Sequence, residues 1–200
     1  MPKTLILPGL DGSPAPHWQH WWAATDPNAL IVEQHDWANP THEAWEAELA
    51  GAILNHPGCI LVGHSLGGAI AIDLARQVQD EQGTIVEGTF TSIPEVVSTF
   101  KWGWLPISPL ITQRFESVRK VADIGSPLLV VHGSEDRLIK PELGQKLFEA
   151  ARGPKAFVLV EGGSHHNTNS VGQPQYRQAL AELFGLRLLA QAPTAPASPR

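Results

Sequence analysis

Ile60-Leu61-Val62-Gly63-His64-Ser65-Leu66-Gly67-Gly68-Ala69-Ile70-Ala71 is the stretch whose reading decides the fold. An apolar run suited to a buried strand ends at Val62, and a small-residue, helix-compatible run begins at Leu66. Between them stands Gly63-His64-Ser65-Leu66-Gly67, the pattern G-x-S-x-G. A serine on so sharp a strand-to-helix turn projects its hydroxyl above the edge of a sheet. Glycines flank it because a Cβ there would clash with neighbouring backbone. Three fixed positions in five residues are weak evidence alone, and the bland reading is a tight turn that only connects two elements. The strand before and the helix after favour a nucleophile. The first-turn N–H groups and dipole of that helix would favour negative charge beside Ser65, as an alkoxide or oxyanion requires.

Working outward, short apolar runs alternate with longer helical segments, the pattern of βαβ units around a parallel sheet. Strands are expected at Thr4–Leu7, Leu30–Glu33, Cys59–Val62, Thr84–Thr89, Leu128–Val131 and Ala156–Val160. Helices are expected near Thr41–Asn55, Leu66–Gln79, Pro141–Ala151 and Gln175–Phe184. Thr41 is an N-cap candidate, Pro141 suits a first helical turn, and Gly185 suits a C-terminal stop. Glu95–Asp123 reads as a long irregular connection, apolar and interrupted by proline, the character of a functional flap.

A serine hydroxyl is a weak nucleophile near neutral pH and needs a base, which in turn needs an orienting acid. On this kind of scaffold the chain order is serine, acid, histidine. After Ser65 only His132, His165 and His166 remain. His165 follows the last strand through Glu161-Gly162-Gly163-Ser164, which returns it to the sheet edge that carries Ser65; adjacent His166 stays the alternative. His132 ends its own strand and reads as packed and hydrogen-bonded. Asp136, in the loop after Leu128–Val131, is the expected acid, with Glu135 as its neighbour and competitor. Its bland role is to pair with Arg137 or cap the next helix. Two backbone N–H groups should form an oxyanion hole, from Leu66 and from Leu10 in Pro8-Gly9-Leu10-Asp11-Gly12-Ser13. That glycine-rich loop matches neither the dinucleotide nor the P-loop fingerprint. His64, Trp18, Phe100, Trp102 and Trp104 are candidates for the substrate pocket. The tryptophans fit core packing equally well, and Trp18 and Trp22 stand at helical spacing.

Bulk properties narrow the function further. A 200-residue chain fits one domain, expected over residues 1–186, with an Ala/Pro-rich tail at 187–200 that reads as disordered. The net charge of −6 and the lack of basic blocks exclude an electrostatic footprint for nucleic acid. No apolar run reaches the ~18 residues that span a bilayer, and Thr4–Leu7 is too short for a signal core, so a cytoplasmic location is expected. One cysteine, Cys59, excludes an intrachain disulfide. His17 with His20, or His35 with Asp36, lacks the further ligands a metal site needs, and no cofactor is implied. The oligomeric state has no signature.

With these three loops in order, the chain resembles the α/β-hydrolase superfamily. The first part is similar to RBBP9/YdeN-type serine hydrolases, through Pro8-Gly9, Gly12-Ser13, His17-Trp18, Trp21, Gln34, Asp36-Trp37, Pro40, Trp45 and the Ser65 turn. The second part is similar to Bem46/ABHD13-type hydrolases, through Glu87 to Ser92, Arg114 to Ser117, Ile124 to Gly133 and Glu161 to His165. The resemblance implies a three-layer α/β fold with a mostly parallel sheet of about six strands and no large cap domain. In the superfamily's labels its order is 4-3-5-6-7-8. It implies a serine hydrolase acting on small carboxylic esters through Ser65, Asp136 and His165 and an acyl-enzyme. A thioesterase or acyltransferase on the same residues, and a catalytically idle binding module, are the alternative expectations.

Overall fold

A computed structural model describes residues 2–78, 80–100 and 111–186. Six parallel strands form one sheet: β1 (Thr4–Leu7), β2 (Ala29–Ile31), β3 (Ile60–His64), β4 (Gly83–Glu87), β5 (Leu128–Gly133) and β6 (Lys155–Val160). Their order is β2-β1-β3-β4-β5-β6, the expected order with chain-order labels. Every pairing is parallel.

Helices cover both faces, which is why the central strands read as unbroken apolar runs. On one face lie α2 (His42–Asn55), α3 (Leu66–Gln77) and α6 (Pro141–Ala150). Trp45, Leu49, Ile53, Ile70, Leu74, Leu143 and Leu147 pack there on Leu5, Leu61, Val86 and Val130. On the other lie α1 (Trp18–Thr25) and α8 (Gln173–Phe184), whose Trp18, Trp22, Tyr176 and Leu180 pack on Ile6, Val62, Ile85 and Val131. The two cores take alternate residues of each strand, as the pleat requires. Thr41 caps α2, its hydroxyl accepting from Ala44 N–H at 3.2 Å.

Three expectations change. No helix was expected at Trp18–Thr25; His17 offers no side-chain cap, and only the Trp18/Trp22 spacing marked the helix. The stretch Glu95–Asp123 is not wholly irregular: α4 (Ile93–Ser98) begins before it, and α5 (Ser117–Lys120) with a 3-10 turn at Val121–Asp123 ends it. The His165 loop runs into a further short helix, α7 (Thr168–Val171). Strand ends shift by at most two residues. The expected tail at 187–200 lies outside the described residues. Among the described residues no helix is long and apolar enough to cross a membrane.

The register fixes the functional edge. Leu7 pairs with Gly63, His64 with Glu87, Glu87 with Val131 and Gly133 with Val160, so the carboxyl ends of five strands finish side by side. In open α/β sheets ligands bind along that edge.

Candidate active site

Ser65 stands where β3 turns into α3, at φ 52° and ψ −119°. A left-handed conformation is uncommon for any residue with a Cβ, and strain of this kind clusters at functional sites. Neighbouring backbone holds it. Ser65 N–H donates to the Glu87 carbonyl at 3.0 Å, and Thr89 Oγ1 donates to the Ser65 carbonyl at 2.8 Å. Both glycines of the motif are sterically required. A Cβ on Gly63 would stand 2.5 Å from Gly68 Cα, and one on Gly67 would stand 2.4 Å from the carbonyl oxygens of Leu7 and Pro8.

The loops after β5 and β6 are stitched to each other. Glu135 N–H donates to the Gly163 carbonyl at 2.8 Å, and Gly162 N–H to Ser134 Oγ at 2.9 Å. Asn167 Oδ1 accepts from Ser164 N–H at 2.7 Å, and Thr168 Oγ1 donates to the Ser164 carbonyl at 2.7 Å, which fixes the His165 turn. His165 Nδ1 then lies 2.8 Å from Asp136 Oδ2, with both residues buried. Asp136 Oδ1 accepts from the N–H groups of Leu138 and Ile139 at 3.0 and 2.9 Å. Burial would push the Asp136 carboxyl up. Its hydrogen bonds with His132 and His165 outweigh that and hold it well below the usual carboxylate range.

Of the competitors, Glu135 and His166 are exposed. His132 is fully buried. Its Nε2 donates to the Ile139 carbonyl at 2.8 Å and lies 3.4 Å from Asp136 Oδ2, so it braces the acid from behind. Ser65 Oγ and His165 Nε2 are engaged by no other described residue. Catalytic hydrogen bonds commonly tighten only when substrate arrives.

Leu10 opens a 3-10 turn (Leu10–Gly12) after β1 and is exposed, while Leu66 is the first residue of α3. Neither N–H is spent on a hydrogen bond to a described residue. A Cβ on Gly9 would stand 3.1 Å from Ser65 Cβ, so the Leu10 loop lies directly against the serine.

Two of the pocket candidates, Trp18 and His64, are buried. Trp18 is 4% exposed and packs inside the α1/α8 core, its ring centroid 6.3 Å from that of Tyr176. His64 is 2% exposed and lies under the turn. Its Nε2 donates to the His165 carbonyl at 3.0 Å, and the two rings stand 4.7 Å apart. Alternation along β3 sends His64 inward, which G-x-S-x-G by itself does not reveal. Phe100 is exposed; Trp102 and Trp104 lie outside the described residues.

Two groups at this edge were missed, one partly and one fully buried. His17, before α1, has its ring 4.8 Å from that of His64; burial and the nearby His166 lower its pKa to about 4. Glu87 ends β4, 1% exposed, and burial pushes its carboxyl up to about 8. A carboxylate inside an otherwise apolar strand was the available signal.

One group of metal-ligating type occurs among the described residues: His42 and Glu46 of α2 with Asp73 of α3. Lys120 and Arg76 already neutralise Asp73, so the group is an ion-pair cluster tying α2, α3 and α5 together.

Comparison with known proteins accords with this geometry. The chain is 28% identical to the bem46 protein of Schizosaccharomyces pombe over 181 residues, covering 82% of this chain and 60% of that one. It is 26% identical to human alpha/beta hydrolase domain-containing protein 17B over 150 residues, covering 73% and 48%. The chain thus spans about half the length of the curated relatives it matches. Among solved structures, the ydeN gene product of B. subtilis superposes with a TM-score of 0.69 at 19% identity, covering 93% of this chain and all of that one. Est1E of Butyrivibrio proteoclasticus with ferulic acid bound superposes at 0.73 with 15% identity, covering 93% and 90%. These likenesses show the α/β-hydrolase fold. The serine hydrolase family profile matches residues 4–183, and the chain belongs to that family.

Proposed function

We propose that the protein hydrolyses carboxylic esters of small molecules, with Ser65 as nucleophile, His165 as general base and Asp136 as its orienting acid. The observation that carries the reading is the buried 2.8 Å pair of His165 Nδ1 and Asp136 Oδ2, at the strand ends that also present Ser65. Asp136 accepts the hydrogen bond of Nδ1–H and so holds that tautomer, which leaves Nε2 as the basic nitrogen. Ser65 Oγ attacks the acyl carbon as its proton passes to Nε2, and the Leu10 and Leu66 N–H groups receive the oxyanion. His165 returns the proton to the departing alcohol. Water, deprotonated by the same nitrogen, then releases the acid and restores Ser65. Strain at Ser65 supports the role, because it fixes the hydroxyl before substrate binds.

The test is covalent labelling by a fluorophosphonate probe together with turnover of p-nitrophenyl esters of graded chain length. Labelling and turnover should both vanish in Ser65→Ala, whose melting temperature stays near wild type. Labelling that persists in Ser65→Ala, or a wild type that neither labels nor turns over, overturns the reading; the second result would mark an idle fold. Turnover confined to thioesters in a parallel panel would move the substrate class without moving the residues.

A further inference from the structure

On the α1/α8 side of the sheet, polar side chains crowd beneath the Ser65 turn. His64 on β3 and Glu87 on β4 are register partners that follow Val62 and Ile85 onto that face. Trp18 of α1 and Tyr176 of α8 cover them, with the Trp18 ring 6.5 Å from His64 and 6.3 Å from Tyr176. Asn169 of α7 faces the Tyr176 hydroxyl. All five are buried, between 0% and 4% exposed. Trp18 lies close to Glu87, and Asn169 to Tyr176, yet Glu87 Oε1 and Oε2, Tyr176 Oη, Trp18 Nε1, Asn169 Nδ2 and His64 Nδ1 make no hydrogen bond of ordinary length among the described residues.

So many orphans in one place are not an apolar void. Buried polar atoms are almost always paired, and buried waters make about three hydrogen bonds each to groups of this kind. The set is also chemically mixed. His64 Nε2 donates to the His165 carbonyl, so in the neutral ring Nδ1 is a bare acceptor. Trp18, Tyr176 and Asn169 bring donors. Water serves both kinds; no single ion does.

We propose that Glu87, Tyr176, Trp18, Asn169 and His64 form an internal hydration site beneath the Ser65 turn, and that Glu87 takes part in it as the neutral carboxylic acid. The site touches the turn directly, since the Glu87 carbonyl accepts the Ser65 N–H. The titratable groups around Glu87 are Asp136 from the loop after β5, Tyr176 from α8, His64 from β3 and His17 ahead of α1. None brings positive charge near neutral pH. Asp136 is an anion, and burial holds His64 and His17 below, and Tyr176 above, their usual ranges. Burial, and then the charge of Asp136, favour the protonated acid in Glu87, against the opposing pull of the Trp18 indole.

The acid form leaves a signature in stability. The unfolded chain releases this proton near 4.5 and the folded chain near 8. Between those values the unfolded state alone has ionised, so stability falls as pH rises and levels off above 8.

The test joins a high-resolution crystal structure of the whole chain with melting temperatures from pH 4.5 to 9 for wild type, Glu87→Gln and Glu87→Leu. Ordered waters should bridge the carboxyl and the Tyr176 hydroxyl. Glu87→Gln, uncharged and of equal size, should fold and show a visibly shallower decline with pH. Glu87→Leu should melt below Glu87→Gln at every pH, because it leaves the other groups unpaired. A dry chamber, a Glu87→Gln curve parallel to wild type, a Glu87→Gln chain that fails to fold, or a Glu87→Leu chain at least as stable as Glu87→Gln each overturns the proposal. Probe labelling plays no part, so this test can fail while the ester hydrolase reading stands, or the reverse.

Discussion

His64 Nε2 donates 3.0 Å to the backbone carbonyl of His165, so the residue before Ser65 holds the residue that carries the imidazole. One side chain thereby couples two loops that lie about a hundred positions apart in the chain. Removing it should loosen the His165 turn without removing any reacting group. For His64→Leu we expect kcat/KM for p-nitrophenyl esters to fall by roughly 10- to 100-fold, the scale of one buried hydrogen bond plus imperfect alignment. Labelling of Ser65 should slow by a similar factor but still reach completion. An unchanged rate would show that the Asp136 bond alone fixes the ring.

The two adjacent histidines offer a sharper contrast. His165 is buried on Asp136, whereas His166 is exposed and turns its ring edge-on to His165 at 5.2 Å. His165→Ala should lower kcat by about 10⁴-fold or more, as loss of the base does in serine hydrolases. His166→Ala should stay within a few-fold of wild type. Steady-state kinetics on both variants decides the matter; the opposite ranking would transfer the base to His166.

Gly67 can be tested by stability alone. A methyl group there would meet the carbonyl oxygens of Leu7 and Pro8 at 2.4 Å, and these belong to β1 and the loop that follows it. Backbone cannot yield as a flexible side chain can. Gly67→Ala should cost about 1–3 kcal/mol, a drop of roughly 2–12 °C in melting temperature for a domain of this size. A melting temperature equal to wild type would mean that the strand-to-helix turn is looser than its geometry implies.

How much was legible beforehand follows from which interactions are local. The strands Thr4–Leu7, Leu128–Val131 and Ala156–Val160 stood out because a sheet covered on both faces demands unbroken apolar runs. Asp136 and His165 could be singled out because each follows a strand by a short loop, and parallel strands deliver all such loops to one edge. Helix α1 was harder to see, since His17 supplies no cap and Trp18 and Trp22 alone mark its buried stripe. The shared surroundings of Glu87 and His64 were hidden for a different reason. Their surroundings, Trp18, Tyr176 and Asn169, come from three separate helices, and no spacing along the chain announces that meeting. Trp18 misled because an aromatic near a turn reads alike whether it walls a pocket or fills a core.

The depressed carboxyl of Asp136 predicts how the protein should respond to acid. An unfolded aspartate takes up its proton near 3.8, whereas the folded Asp136 stays ionised to lower pH, held against the cost of burial by His132 and His165. Its contribution to stability is therefore complete above about pH 4 and is lost as the pH falls through the folded value. Asp136→Asn removes that dependence along with the orientation of His165. We expect the variant to lose about 10⁴-fold in kcat at neutral pH, where it presents the wrong tautomer to the serine. We also expect its melting temperature to change less than that of wild type between pH 5 and pH 2.5. Scanning calorimetry at half-unit steps measures the second effect independently of catalysis. Parallel acid limbs in the two proteins would show that Asp136 is not held in its ionised form by the folded chain.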